Sequence, residues 1–293
     1  MILTKLFRAQ IIRRNPLITK CRRLLNGYKT LREANHISQH FLSFFTPVLA
    51  SSPEDLLGAH KVRHDVFCEE LKLFKAQRPE FEQDDYDAYA KQCVIKHERT
   101  RAYAGTVRMI MPETNEQTLP IEKVASQYIT KKEYLPSNFK RSEVCEISRI
   151  AIHRDFRRRK ADQFEGAATG GIDDSSYSDI ELRCFPLLAV GLYMTTAAVC
   201  LAEGKKHAYF MVEPRLAKSM SFIGIKLVKI GDEFDYVGRR APYYINNQDF
   251  VSHLSPSFMA MMKAFTKIIG GAQHVSNTQA SNDPLIPATA RAS

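Results

Sequence analysis

The chain has 293 residues, 44% of them hydrophobic and 10% aromatic, enough for one large folded domain with appendages, and its composition is not that of a disordered, collagenous or coiled-coil protein. Forty-two Lys and Arg against 32 Asp and Glu leave a net charge of +10 and a pI near 9.3, which suits an acidic partner: nucleic acid, an anionic membrane or an acidic protein. Six cysteines without a CxxC pair, mostly in apolar runs, argue against a disulfide framework or zinc site and for a reducing cytoplasm.

Residues 1–50 read as a basic, helical N-terminal extension. Residues 1–32 carry nine Lys/Arg and no acid, with Leu3, Leu6, Phe7, Ile11, Ile12 and Leu17 between the charges. No long apolar core with a small-residue cleavage site follows, so the stretch is not expected to be a secretory signal. Two readings stand: a basic amphipathic helix on an anionic membrane or a partner, and a solvated extension. Ser52-Pro53-Glu54-Asp55 is a helix start, with a hydroxyl before Pro and acids in the first turn. The helix runs through Leu56, Leu57, Val62 and Phe67. Residues 75–90 are acidic and read as loop. Gln92–His97 and Tyr103–Met111 have strand character. Leu119–Tyr128 reads as a short helix, and Val144–Ile152 (VCEISRIAI) as a central strand.

A basic cluster, Arg157, Arg158 and Arg159, opens a Gly-, Asp- and Ser-rich stretch, so residues 154–182 read as a mobile insertion. Cys184–Ala202 holds nineteen residues without a charge. Its length would suit a membrane span, but strand-like segments follow directly, and a buried core helix closed by Gly204 is the expectation. His207–Val212 reads as a strand, Arg215–Ile223 as a helix ended by Gly224, and Lys226–Ile230 and Tyr243–Ile245 as further strands. Residues 271–293, rich in Ser, Asn, Ala and Pro, read as a disordered tail. The order predicts a mixed α/β domain over 51–270, a twisted sheet flanked by helices.

Chemistry gathers in four segments. They are Arg63-His64-Asp65-Val66-Phe67, Glu82-Gln83-Asp84-Asp85-Tyr86-Asp87, Gly105-Thr106-Val107-Arg108 and Glu146-Ile147-Ser148-Arg149. An acidic loop can hold a cationic amine or answer nearby arginines. Arg108, Glu146 and Arg149 sit in otherwise apolar strands, where charges seldom bury without partners. On residue types alone, structural ion pairs and catalysis are equally good accounts. The pairs His36/His40 and His60/His64 lack the Glu of a zinc protease motif, so no metal is expected. No P-loop, dinucleotide fingerprint, nucleophile elbow or nucleic-acid motif is present.

In order and spacing these segments resemble the acyl-homoserine lactone synthases, whose pattern is Arg-x-x-x-Phe, Glu-x-Asp-x-Tyr-Asp, Gly-x-x-Arg and Glu-(Ile/Leu)-Ser-Arg. The likeness covers roughly residues 54–152. The positions it marks are Arg63, Phe67, Asp84, Asp87, Arg108, Glu146 and Arg149. The family places a Trp after the Phe, whereas this chain has no Trp, and Leu73 and Phe74 lie nearest. Met211–Ala217 (MVEPRLA) and Gly238–Tyr244 (GRRAPYY) look like the related N-acyl amino acid synthases and the acyltransferases of PEP-CTERM/exosortase systems.

The resemblance implies a GNAT-like fold and an acyl carrier protein as donor. The expected activity is transfer of a fatty acyl group from the carrier's phosphopantetheine to a small amine or amino acid, with no tightly bound cofactor. Lactone formation is the alternative, and a non-enzymatic membrane-associated binding protein is the alternative of another class. The expected location is cytoplasmic, with peripheral membrane contact through the N-terminus.

Acetyl-CoA users of this fold carry a glycine loop that cradles pyrophosphate after the central strand. Here that place reads Arg154-Asp155-Phe156-Arg157-Arg158-Arg159-Lys160, a basic run suited to an acidic carrier. Glu146 is the expected base. Asp84 and Asp87 would hold the acceptor or pair with Arg63 and Arg108. The backbone of the central strand, at Ser148 and Ile150, would polarise the thioester. The acyl tail would lie along the 184–202 helix. Residues three apart on a regular strand point oppositely. Glu146 and Arg149 therefore share a site only through a β-bulge between Ser148 and Ile152, or if Arg149 reaches round the strand end. Otherwise Arg149 braces the acidic loop from the other face. The bulge is the expectation, since it would also splay the neighbouring strands and open a slot for the pantetheine arm.

Overall fold

Alternation of apolar residues and the turn signals between them build a sheet. The computed structural model describes residues 36–75, 80–157 and 184–280. Its strands are β1 (Phe45–Ala50), β2 (Ala90–His97), β3 (Tyr103–Ile110), β4 (Val144–Ile152), β5 (His207–Val212), β6 (Val228–Lys229), β7 (Phe234–Asp235) and β8 (Arg239–Asn246). They join in the order β1-β2-β3-β4-β5-β8-β6, with β7 on β8. β4 and β5 pair parallel, and every other pairing is antiparallel. The result is the expected mixed α/β architecture, with β4 at the centre.

The helices are α1 (Pro53–Arg63), α2 (Pro120–Val124), α3 (Leu188–Ala202), α4 (Pro214–Phe222), α5 (Asn247–His253) and α6 (Pro256–Ala280). Ser52 caps α1, its hydroxyl accepting from the Asp55 amide at 3.1 Å, and the chain winds on through a π-helical turn, His64–Glu70. Helix α3 is apolar on all sides because it is buried on all sides, between β1–β4 and α6. Thr195 and Thr196 fit there because each hydroxyl donates to a carbonyl one turn back, both at 2.8 Å. Among the described residues no helix is long and apolar enough to cross a membrane.

The main core lies on the α3 side of the sheet, where Cys145 and Ile147 of β4 meet Leu192, Met194 and Phe210. The opposite side carries two smaller apolar clusters. One packs Val62, Val66 and Phe67 onto Ala151, and the other gathers Ile110, Ile121, Val144 and Tyr209. The charged residues of the four motifs lie between these two.

Several boundaries differ from the sequence reading. The stretch 1–50 is not wholly an appendage: residues 36–42 are helical, Phe45–Ala50 pairs with β2, and Phe41 and Phe45 are fully buried. Six basic or polar neighbours diluted the periodic pattern there. Residues 1–35 lie outside the described part. Helix α6 runs to Ala280, into the segment read as a disordered tail, because Met261, Met262, Phe265 and Ile269 anchor its first half in the core. Residues 158–183, most of the expected insertion, are outside the described residues, as are 281–293. Leu119–Tyr128 is α2 followed by a 3-10 turn rather than one helix.

Candidate active site

Arg63 leaves the end of α1 fully buried and meets the acidic loop with every face of its guanidinium. Nε donates to Glu82 at 2.5 Å, and the two terminal nitrogens donate to the Asp87 carboxylate at 2.7 and 3.0 Å. This bidentate grip is the geometry that favours Arg over Lys. Asp87 closes a capping box with Asp84 at the head of the 3-10 turn Asp85–Tyr89, accepting from the Asp84 amide at 2.8 Å. Burial would push the Asp87 carboxyl up, but Arg63 and Arg108 hold it well below the ordinary value of 3.8. Glu82 is likewise held low: burial raises it, and the charges of Arg149 and Arg63 outweigh that.

From β3, Arg108 donates to Ser148 Oγ at 3.1 Å and to Asp84 at 2.5 Å, and it lies 3.2 Å from Asp87. From β4, Arg149 donates to Glu82 at 3.0 Å and Asp84 at 3.1 Å and stacks over the Phe74 ring at 4.1 Å. Three guanidinium groups thus face three carboxylates in one network. Asp84 and Asp87 pair with arginines, as one of the two sequence readings had it. The first glycine of the Gly-x-x-Arg strand has a packing reason. A Cβ on Gly105 would lie 2.9 Å from the Ala151 carbonyl and 3.2 Å from Leu192.

The register of β3 against β4 shifts by one residue between Arg108/Ser148 and Thr106/Ala151, and Arg149 adopts φ +53°. This is the bulge expected between Ser148 and Ile152. Before it, Val144, Glu146 and Ser148 face the acidic loop while Cys145 and Ile147 face α3. After it the parity inverts, so Arg149 and Ala151 share the face of Glu146. The parallel β4–β5 ladder pairs Val144 to Ile147 with His207 to Phe210 and stops there.

Past that point the strands part around an open cleft of about 830 Å³, its solvent-open mouth included. Glu146, Ser148, Arg149 and Ile150 line it from β4, Met211 and Val212 from β5, and Asp84, Arg108, Phe67 and Phe74 complete one side. Phe74 and Leu73 both reach the cleft, the two residues nearest to the Trp position that this chain leaves without one. Arg63 and Asp87 stand behind it.

Glu146 is 1% exposed, between Ile110 and Tyr209 in the ladders, with the Ile121 amide donating to its carboxylate at 2.8 Å. Burial pushes its pKa up to about 8, against the opposing pull of the Ile121 amide and Arg108. A second, narrow apolar pocket, about 400 Å³ only with its solvent-open mouth included, lies on the other side of the sheet between Tyr193, Thr196, Cys200, Met220 and Phe250. Ile147 lines both spaces.

One expected site residue is elsewhere. Arg157 is buried, 3% exposed, and its guanidinium pairs with Glu70 of the π-helical turn instead of standing in a solvent-facing basic patch. A single arginine in a basic run does not announce that a carboxylate from a distant helix will cover it. Arg158 and Arg159 lie outside the described residues. Conversely, Glu82, which bridges Arg63 and Arg149, belonged to a motif segment but was not singled out, and Arg240, which also lines the cleft, sat unassigned in the GRRAPYY segment.

A family model described as an acetyltransferase (GNAT) domain matches residues 62–165. The chain matches no curated protein. Among solved structures it is similar to TofI, determined in a ternary complex with an inhibitor and MTA. The identity is 14%, over 73% of this chain and 99% of that one, with a TM-score of 0.50. It is similar to BjaI, a CoA-dependent acyl-homoserine lactone synthase solved with MTA, at 17% identity over 70% and 86% of the two chains and a TM-score of 0.50. FeeM, an N-acyl amino acid synthase from uncultured soil microbes, aligns at 12% identity over 72% and 94%, with a TM-score of 0.48. The sheet order, the splayed parallel pair at its centre, the matching domain model and the likenesses to TofI and BjaI together identify the fold as GNAT-like, of the kind seen in acyl-homoserine lactone synthases.

Proposed function

We propose that the chain is an N-acyltransferase that moves a fatty acyl group from the phosphopantetheine thioester of acyl carrier protein to a small amine. One observation carries this reading. A carboxyl with pKa near 8, a slot between splayed parallel strands and an apolar cavity all meet around Glu146 and Ile147. A primary amine is protonated in water and must lose a proton before it attacks. Glu146 accepts it, directly or through one water. The amine nitrogen then bonds to the thioester carbonyl carbon, the C–S bond breaks, and the pantetheine sulfur leaves and takes up a proton. Backbone N–H groups of β4 at Ser148 and Ile150, past the end of the β4–β5 ladder, stabilise the developing oxyanion. The acyl tail occupies the apolar cavity against α3. The Arg63–Arg108–Arg149 network with Glu82, Asp84 and Asp87 fixes the wall against which the acceptor binds.

Support for a carrier protein rather than free CoA lies in the segment after β4. The stretch Arg154–Lys160 carries no glycine, where a pyrophosphate cradle would need them, and its first part, Arg154–Phe156, is a 3-10 turn with Phe156 buried. The net charge of +10 suits an acidic carrier, and the basic stretch 1–32 suits an anionic membrane surface. Lactone formation is a second reading, supported by the fold shared with BjaI.

The test is mass spectrometry of extracts from expressing cells, followed by assays of purified protein with acyl carrier protein and CoA thioesters. The expected result is an acylated amine, formed faster from the carrier. A lactone product would select the second reading. No acylated product from either donor would sink both and leave a non-enzymatic binding protein.

A further inference from the structure

Away from the cleft and its charge network, thiols meet beneath the last turn of α3. Cys200 of α3 and Cys145 of β4 are both buried and stand sulfur to sulfur at 3.8 Å. The Cys145 sulfur and burial hold the Cys200 thiol well above its ordinary value of 9.0, and Cys93 of β2 is near enough to add to this. The two carriers differ in stiffness. Cys145 sits inside the parallel β4–β5 ladder, opposite Ala208, and β4 is bonded to β3 on its other side. Cys200 sits in the terminal turn of α3, just before a Schellman cap: its carbonyl accepts from the Lys205 amide at 2.9 Å, and Gly204 adopts φ +67°. A strand paired on both sides is fixed, whereas the end of a helix opens more easily.

Thiols buried in a core often serve only as small apolar side chains. Two features go beyond packing here. A disulfide needs the sulfurs to close from 3.8 Å to about 2 Å, a step that side-chain rotation and a small approach of the helix end can cover. Moreover, Cys200 lines the apolar pocket with Ile147, Tyr193 and Met220, and that pocket has a solvent-open mouth. A small neutral oxidant therefore has a path to one sulfur of the pair, with the other standing directly behind it. Cys200 and Ile147 line that pocket from α3 and from β4, so drawing these two elements together narrows it. The reducing compartment expected from the cysteine spacing keeps such a pair open until an oxidant arrives.

We propose that Cys145 and Cys200 form a reversible disulfide that latches α3 to β4 and narrows the apolar pocket when the protein meets a peroxide. The Cys200 sulfur, as thiolate, attacks the peroxide, the O–O bond breaks, and Cys200 becomes a sulfenic acid as one water leaves. The Cys145 sulfur then bonds to the Cys200 sulfur, the S–O bond breaks, and the departing hydroxide takes the Cys145 proton as a second water. Two thiols and one hydrogen peroxide thus give one disulfide and two waters, and an external dithiol reverses the change. The latch rests on the acyl-transfer reading only for its effect on activity, not for the cross-link.

The experiment exposes the reduced, folded full-length chain to hydrogen peroxide, alkylates the remaining thiols in denaturant and maps the peptides by mass spectrometry. The expected product is a Cys145–Cys200 peptide, lighter than its two parts by two hydrogens and cleaved by dithiothreitol. Because the bond closes a loop of 55 residues, the oxidised protein should melt about 5–10 °C above the reduced one. The raised ionisation of Cys200 makes the reaction slow at neutral pH, and its rate should still be climbing at pH 9. Oxidation should lower acyl transfer, more with long-chain than with short-chain donors, and dithiothreitol should restore it. Cys145→Ala or Cys145→Ser, whatever its basal rate, should lose this sensitivity. Cys145 and Cys200 that both remain open to alkylation after peroxide overturn the proposal, as does a Cys93–Cys200 peptide in place of the expected one. A cross-linked enzyme as active as the reduced one overturns the latch. The cross-link is read without any donor, so its absence leaves the acyl-transfer reading standing. A cross-link that raises the melting point of a protein with no acylation by any donor upholds the thiol pair and sinks that reading.

Discussion

Glu146 carries two opposite requirements. Its burial keeps the carboxyl protonated at the pH where a base would need it ionised, and a pKa near 8 is the compromise at which both forms are accessible. Two outcomes follow. In kcat/KM against pH, activity should rise through about pH 8. Glu146→Gln should remove that limb and lower kcat by about 10²–10⁴-fold, leaving only the ionisation of the acceptor. Retention of full activity in Glu146→Gln would remove the residue from the mechanism. Stability should move the other way. The folded carboxyl keeps its proton up to about 8 while the unfolded one loses it near 4.5, so stability present below pH 4.5 is lost as pH rises toward 8. The slope is at most about 1.4 kcal/mol per pH unit. Denaturant titrations at a series of pH values should show this slope in the wild type and not in Glu146→Gln.

At the scale of elements, the bulge in β4 and the acidic loop depend on one another. Arg149 at φ +53° pays a backbone penalty that glycine would not. Its side chain repays it by tying Glu82 and Asp84 to the strand. Arg149→Ala should therefore lose both the loop contacts and turnover. Arg149→Gly should lose the same contacts yet unfold at higher denaturant, by about 1 kcal/mol. Hydrogen exchange across residues 80–90 should rise in both variants. Equal stability of the two would mean that the strain is absent. Arg63 has the larger structural debt. Its removal as Arg63→Ala strands buried carboxylates and should cost about 3–5 kcal/mol, read in equilibrium unfolding.

Over the whole molecule the two sets of groups define a window. The carboxyls of Asp87 and Glu82 are held below 3.8 and 4.5, so what they contribute is present above those values and lost as pH falls through the folded values. Together with Glu146 this places maximal stability in mildly acidic solution, between the two losses. The charge distribution makes a separate prediction. Removing residues 1–32, with nine basic residues and no acid, should leave the unfolding midpoint unchanged while weakening co-sedimentation with anionic liposomes. Equal binding by the truncated and full-length chains would reduce that stretch to an extension.

Local chemistry was enough to read much of this protein. Ser52-Pro53 marks a helix start, VCEISRIAI a buried strand and the nineteen uncharged residues from Cys184 a core helix, because capping, side-chain alternation and uniform apolarity are properties of neighbours in sequence. The need for a bulge was legible too, since Glu146 and Arg149 have the wrong parity for one face of a regular strand. Other features depend on what another segment brings. Phe45–Ala50 is a strand only because β2 offers it an edge, and Arg157 is an internal ion pair only because Glu70 arrives from a turn 87 residues away. The shared position of Ile147 between cleft and apolar pocket is a property of distance in space. Sequence carries residue identity and local spacing. Burial, and with it the raised pKa of Glu146 and the lowered pKa of Arg240, exists only once the sheet has closed over them.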